Sequence, residues 1–232
     1  MRVIVAAAGP QTKWGGHLGV RSHFAPVREE LGSDAAMPLL GRTLWQAARW
    51  SDEVCLVGPP DDPEPYRELA AMREVHFYVA SAGRRNEFES TRPVWAPGGT
   101  NVLLLGDVWF TDVALATVLA HAGEGFRFFG REQASPVTGS PWGEIFAQSW
   151  TDTAEMGRLT EAVRREQDAG HADPTKHGWT MLRLLQDTPL REHVVLRPWW
   201  VEINDATDDI DFPEDYSRHP ATRGLMEAAA CE

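Results

Sequence analysis

Four short apolar runs constrain this chain more than any other feature: "RVIVAAA" (2–8), "EVCLVG" (53–58), "VHFYVA" (75–80) and "NVLLLGD" (101–107). Each is apolar nearly throughout rather than alternating, as a strand covered on both faces must be. Helical patterns fill the gaps between them. "PLLGRTLWQAARW" (38–50) repeats Leu39, Leu40, Leu44, Trp45 and Ala48 on one face. "EPYRELAAM" and "NEFESTRPVW" fill the next two gaps, the second interrupted by Pro93. Strand and helix alternate through residue 121, which predicts right-handed βαβ crossovers. The expected fold is α/β, a three-layer α/β/α sandwich with a mainly parallel central sheet.

The second half is less regular. "FRFFG" and "GEIFAQSW" read as strands, and "TDTAEMGRLTEAVRREQ" as an amphipathic helix capped by Thr or Asp. A turn-rich loop "HADPTKHGWT", a short helix "WTMLRLLQ", a strand "WWVEI" and the acidic stretch "NDATDDIDFPEDY" follow. Residues 9–37 are Gly-rich with little periodicity, and loops of that length in compact domains are functional or disordered.

A chain of 232 residues fits one domain, 1–232, with an N-terminal half (1–121) and a C-terminal half (122–232). No stretch approaches the ~18 apolar residues of a membrane span. "VIVAAA" is too brief for a signal-peptide core, so the expectation is a cytoplasmic protein without membrane contact. A net charge of −12 argues against nucleic acid as a partner, whose phosphates require a basic face. Small phosphorylated ligands stay compatible with it, because exposed charges more than ~8 Å apart are largely screened at physiological salt. Cys55 and Cys231 show no metal-ligand spacing.

In open parallel sheets ligands bind beyond the carboxyl ends of the strands. Three such junctions carry polar residues. After the first strand, Gly9 to Gly19 includes Thr12 and Lys13, and reads equally as a phosphate-cradling loop or a flexible turn. After the fourth, Gly106-Asp107 puts a carboxylate at the top of a buried strand, facing a cleft, capping a helix or binding a cation; Thr111 and Asp112 are better placed to cap. Near the end, Glu202, Asp205, Asp208, Asp209, Asp211, Glu214 and Asp215 crowd together, mostly as an expected solvated face. Strand alternation would put Asp209 and Asp211 on one side of Ile210, and Pro213-Glu214-Asp215 reads as a helix start.

In this order the junctions resemble the nucleotidyltransferases of the glycosyltransferase-A-like fold: sugar-phosphate nucleotidyltransferases, CMP-sugar synthetases and molybdenum-cofactor guanylyltransferases. "VAAAGPQTKWGG" matches that family's strand and Gly-rich loop, "PLLGRTLWQ" its first helix, "LLLGDVWFTD" its metal-aspartate strand and "DDIDFPEDY" its late acidic segment. The resemblance covers nearly the whole chain.

It implies a Mg²⁺ (or Mn²⁺)-dependent enzyme joining an NTP to a phosphorylated small molecule, such as a sugar phosphate, with release of pyrophosphate. Asp107 and Asp211 would hold the metal, with Asp209 accessory. Ala7, Ala8, Gly9, Gln11, Thr12, Lys13 and Gly106 would bind the nucleotide, with Lys13, Asp107 and Asp211 as the catalytic set. Arg84, Asn86 and Ser90 in "SAGRRNEFEST" would contact base or sugar, or the arginines simply stand exposed at a helix start. For the acceptor, Glu144 and Lys176 are candidates, a solvated loop being the other reading of Lys176; Trp142 is a third, with core packing as its other reading. Two departures stand out: Gln11 replaces a second loop glycine after Pro10, and Arg21-Ser22 stands where the family carries a Pro-Lys pair. An NDP-sugar-dependent glycosyltransferase would carry Asp-x-Asp on one strand end, whereas here Val108 and Trp109 follow Asp107. A non-catalytic nucleotide-binding module is the other alternative.

Overall fold

The computed structural model describes residues 1–223 and 225; Cys231 lies outside them. The chain runs β1 (Arg2–Ala6), β2 (Pro26–Arg28), β3 (Ala36–Pro38), α1 (Leu39–Ala48), β4 (Val54–Gly58), α2 (Glu64–Met72), β5 (His76–Val79), α3 (Glu87–Thr91), β6 (Asn101–Leu105), β7 (Val108–Trp109) and α4 (Asp112–His121). There follow β8 (Arg127–Arg131), β9 (Glu144–Trp150), α5 (Thr153–Asp168), α6 (His177–Gln186), β10 (Trp200–Glu202), β11 (Asp208–Asp209) and α7 (Pro213–Arg218).

Seven strands form one sheet in the order β10-β8-β9-β6-β1-β4-β5. The four strands built from the apolar runs are parallel neighbours, and β9 joins β6 and β8 antiparallel. The sheet is therefore mainly parallel. Helices cover both faces over β1, β4 and β6, whose runs are buried almost throughout, whereas β5 is an edge strand with Tyr78 and Val79 exposed, which corrects the expectation that its run is covered on both faces. Val3 and Val5 of β1 pack with α1, α2 and α4 through Leu44, Leu69 and Leu115, while Ile4 points to the other face, where Phe88, Met156 and Leu182 lie on α3, α5 and α6. Pro93 stops α3 as expected, and the chain continues as a 3-10 turn over Arg92–Val94.

Segment 9–37, expected as one long loop, contains 3-10 turns at His17–Gly19 and Ser22–Phe24 and the β2–β3 hairpin. A separate apolar cluster organises it. Trp14, 2% exposed, packs with Val27, Leu39, Trp109, Ile210 and Tyr216, and its indole N–H donates to the carbonyls of His17 and Val20. Half of that cluster comes from residues far along the chain, so local periodicity could not reveal it.

Candidate active site

A cavity of about 630 Å³ opens beyond the carboxyl ends of β1, β4 and β6, where this kind of sheet places ligands. Ala8, Gly9, Pro10, Gln11, Thr12 and Lys13 line it, as do Asp107, Asp209, Asp211, Glu144, Lys176, Arg84, Asn86 and Ser90. Most of the residues singled out in the sequence thus meet in one cleft, and both lysines of the chain are among them. Ala7 and Gly106 do not line it. Both are buried at the strand tips, where the Gly106 amide donates to the Ala6 carbonyl at 2.9 Å. Trp142 is 64% exposed, which corrects its core-packing reading. Together with Lys176, Trp179 and Arg183 it lines a separate cavity of about 310 Å³.

The two departures in the first loop belong together. Gln11 takes a positive φ of 46°, and its carboxamide clips the 3-10 turn: Nε2 donates to Ser22 Oγ at 2.5 Å, and Oε1 accepts from the Ser22 amide at 2.9 Å. Gln11 and Ser22 therefore fasten the loop from inside. Arg21 pairs with Asp61 at 2.7 Å, leaving Lys13 as the cation contributed by the loop proper. Lys13 is salt-bridged to Asp211, and its ammonium lies 5.2 Å from the centre of the Phe212 ring.

The carboxylates are brought together by a two-stranded ribbon. Asp107 ends the run that begins in β6; β7 then pairs antiparallel with β11, matching Asp209 to Val108, and the Ile210 amide donates to the Asp107 carbonyl at 2.8 Å. β11 ends at Asp209, yet Ile210 is fully buried and Asp209 and Asp211 both face the cavity. Asp107 does not cap a helix, because Thr111 caps α4 by accepting the Ala114 amide. The expectation of a solvated acidic face is corrected: of the seven acids only Glu214 is well exposed. Asp208, at 0% exposure, pairs with the 2%-exposed Arg131 at 3.2 Å and accepts hydrogen bonds from Ser135 and Thr138. Removing one partner of so buried a pair typically costs about 3–5 kcal/mol. Asp215 accepts the Phe212 amide at the start of α7, the structural role read for it.

Burial, and after it crowding, raises the proton affinity of Asp107, Asp209 and Glu144. Burial, then the charge of Asp211, pushes Asp107 up to about 8, and burial with Asp211 and Asp208 pushes Glu144 up to about 7 against the opposing Lys176 and Lys13. Burial and the surrounding carboxylates also push Asp209 upward. Lys13 is lowered by burial, but the opposing effects of Asp211, Asp209 and Glu144 raise it overall. A cluster of hard oxygen donors whose charges repel one another suits a divalent cation. Among the described residues no three His, Cys, Asp or Glu side chains converge into a cage, so ligand oxygens would have to complete the shell. That is how Mg²⁺ is usually held, by one or two carboxylates plus phosphates.

The cavity lining also includes residues not singled out from the sequence: Glu87, Gln148 and Trp179. Burial pushes Glu87 up to about 7. Gln148 was detectable as the one large polar side chain in the otherwise buried run "IFAQSW".

No protein-family model matches the chain, and no curated protein matches its sequence. Solved structures do match its fold, and several of them are nucleotidyltransferases by name. One, from Bacillus anthracis and assigned as a glucose-1-phosphate thymidylyltransferase, is 11% identical with a TM-score of 0.62 over 97% of this chain and 96% of that one. The CTP:phosphocholine cytidylyltransferase of Streptococcus pneumoniae is 14% identical (TM-score 0.57, 98% of each chain). The inositol-1-phosphate CTP transferase of T. maritima is 12% identical (TM-score 0.57, 92% of this chain and 90% of that one). At these identities the likeness establishes the fold, and the named activities are those of the neighbours.

Proposed function

We propose that the protein is a nucleotidyltransferase that joins an NTP to a phosphorylated small molecule, a sugar phosphate in the first instance, and releases pyrophosphate. One observation carries this reading: Lys13 of the Gly-rich loop and Asp107, Asp209 and Asp211, from three separate segments, share one strand-end cavity. Attack of a substrate phosphate oxygen on the α-phosphorus forms one P–O bond and breaks that to pyrophosphate. It needs charge neutralisation and alignment more than a protein nucleophile.

Asp107 and Asp211, with Asp209 beside them, would hold Mg²⁺, which when bound neutralises phosphate charge. Gly9 to Lys13 binds the triphosphate through backbone amides and the Lys13 ammonium, although Pro10 offers no N–H. The Gln11–Ser22 clip holds that loop in place. Lys176 and Glu144 face the acceptor. Val108 and Trp109 are buried in β7, so no second strand-end carboxylate supports an NDP-sugar donor.

The test is product analysis of the wild-type protein with Mg²⁺ across the four NTPs and a panel of sugar phosphates. The expected result is acceptor-dependent pyrophosphate release. Acceptor-dependent release of NDP from an NDP-sugar would favour a glycosyltransferase, and tight NTP binding without turnover of any acceptor a non-catalytic module.

A further inference from the structure

His177 is a titratable side chain of the main cavity to which the proposed chemistry gives no part. It opens α6 directly after Lys176, and the helix starts this close to β9 only because glycine follows. A Cβ on Gly178 would lie 3.0 Å from Gln148 Nε2 and 3.2 Å from Ile145 Cδ1. One edge of the imidazole is anchored. Nδ1 lies 3.2 Å from Oε1 and 3.0 Å from Nε2 of Gln167 on α5, whose carboxamide is itself fixed by donating to the Asp173 carbonyl at 2.8 Å. Gln167 is not part of the cavity wall, so the other edge is the one that His177 contributes to it. There Nε2 has no hydrogen-bond partner among the described residues and, unlike the unpartnered nitrogens shut inside the protein, it is accessible. The free imidazole is held neutral: burial lowers its proton affinity and outweighs Glu89 on α3 and Asp173 in the preceding loop, which raise it. A place in the first helical turn, beside Lys176, also opposes positive charge. Gln167 on α5, and the β9 residues Gln148 and Ile145 that pack on Gly178, are uncharged.

We propose that His177 binds the acceptor's phosphate beside Lys176, taking up a proton from solvent as the phosphate arrives and donating a hydrogen bond to it from Nε2. The proposal rests on the nucleotidyltransferase reading. A phosphate dianion reverses the balance that keeps the free ring neutral, because an opposite charge within ~4–6 Å favours the charged form. Whichever nitrogen carries the proton in the free ring, the imidazolium donates from both. Nδ1 then donates to Gln167 Oε1 and Nε2 to a phosphate oxygen. No substrate bond breaks in this step, and the oxygen that attacks the α-phosphorus stays unprotonated. A fixed second donor also orients a phosphate that the Lys176 ammonium, a mobile point charge, would only attract. Because binding raises the ring's proton affinity, acceptor binding weakens as pH rises.

Calorimetric titration of the full chain tests this. The α,β-methylene analogues of the four NTPs are added with Mg²⁺, since they fill the nucleotide site without turnover. Glucose 1-phosphate, inositol 1-phosphate and phosphocholine are then titrated separately into wild type and His177→Gln at about pH 6.5 and 8.5, and at about pH 7 in two buffers of different ionisation enthalpy. Wild type should take up a fraction of a proton with the phosphate and bind it about threefold or more weakly at the higher pH. His177→Gln should do neither. The probe's own phosphate, which titrates near pH ~6, contributes equally to both proteins. Affinity for the NTP analogue should change less than about twofold in the variant, which a general loss of structure would not allow. Should His177→Gln fail to fold, His177→Asn carries the same test, asparagine being well suited to a helix start. Equal proton uptake and pH dependence in wild type and variant overturn the proposal, as does no proton uptake by wild type, or none of the three probes binding a protein that takes up the NTP analogue. Absence of analogue binding contradicts the functional reading instead; His177-dependent, proton-linked binding of a phosphate monoester would then leave this site standing without it.

Discussion

Single residues here do work that their type alone does not announce. Gln11 and Ser22 look like two losses from a phosphate-binding pattern, yet they are one contact that fixes the loop bearing Lys13. Asp208 differs from Asp209 only by facing inward, and that turns an ordinary acid into half of a buried ion pair. His23, 2% exposed, is bonded to the Tyr66 hydroxyl at 2.8 Å, and burial, then the charge of Arg21, lowers it to about 3. The unfolded chain takes up a proton near pH 6.5 that the folded chain refuses, so His23 makes stability fall as pH drops from there toward about 3. The limiting slope is about 1.4 kcal/mol per pH unit. Urea unfolding at pH 7, 6 and 5 should show a slope shallower by about one proton in His23→Gln; an unchanged slope would refute the assignment.

Elements set where those residues stand. The β7–β11 ribbon carries two carboxylates to Asp107, and the strand tips above it leave no room. A Cβ on Gly106 would meet the Ala6 carbonyl oxygen at 2.9 Å and the Ala7 Cβ at 3.1 Å. Gly106→Ala should therefore push β6 from β1 just before Asp107, costing about 1–3 kcal/mol in urea unfolding and reducing turnover more than NTP binding. A stability within error of wild type would show that the strand tips yield freely.

The main elements were legible because their signals are local. A strand covered on both faces stays apolar along its length, and Pro93 stops a helix wherever the helix lies. The β2–β3 hairpin was not legible: its strands are three residues each, and the Trp14 cluster that supports them depends on Trp109, Ile210 and Tyr216. Gln148 was half legible, as a polar residue in a buried strand, but what it faces is set by α6.

At the scale of the whole molecule, one seven-stranded sheet joins the first loop, Asp107 and Glu144 into a single cleft, although the protein carries a net charge of −12. Both lysines sit in that cleft, but Asp61, Glu87, Asp107, Glu144, Asp209 and Asp211 line it too, so a cation would have to offset the acids where a phosphorylated ligand enters. Strand-end residues could be ordered along the chain from sequence, because a parallel sheet fixes which ends face the ligand. The convergence of Asp209 and Asp211 on Asp107 could not, because it depends on a two-residue pairing with no periodic signature. If this convergence is the catalytic centre, as proposed, pyrophosphate release by Asp107→Ala beside wild type, with thermal unfolding measured on both, will show it. The expected result is a loss of about a thousandfold or more with the fold intact; full activity in a folded Asp107→Ala would refute that role.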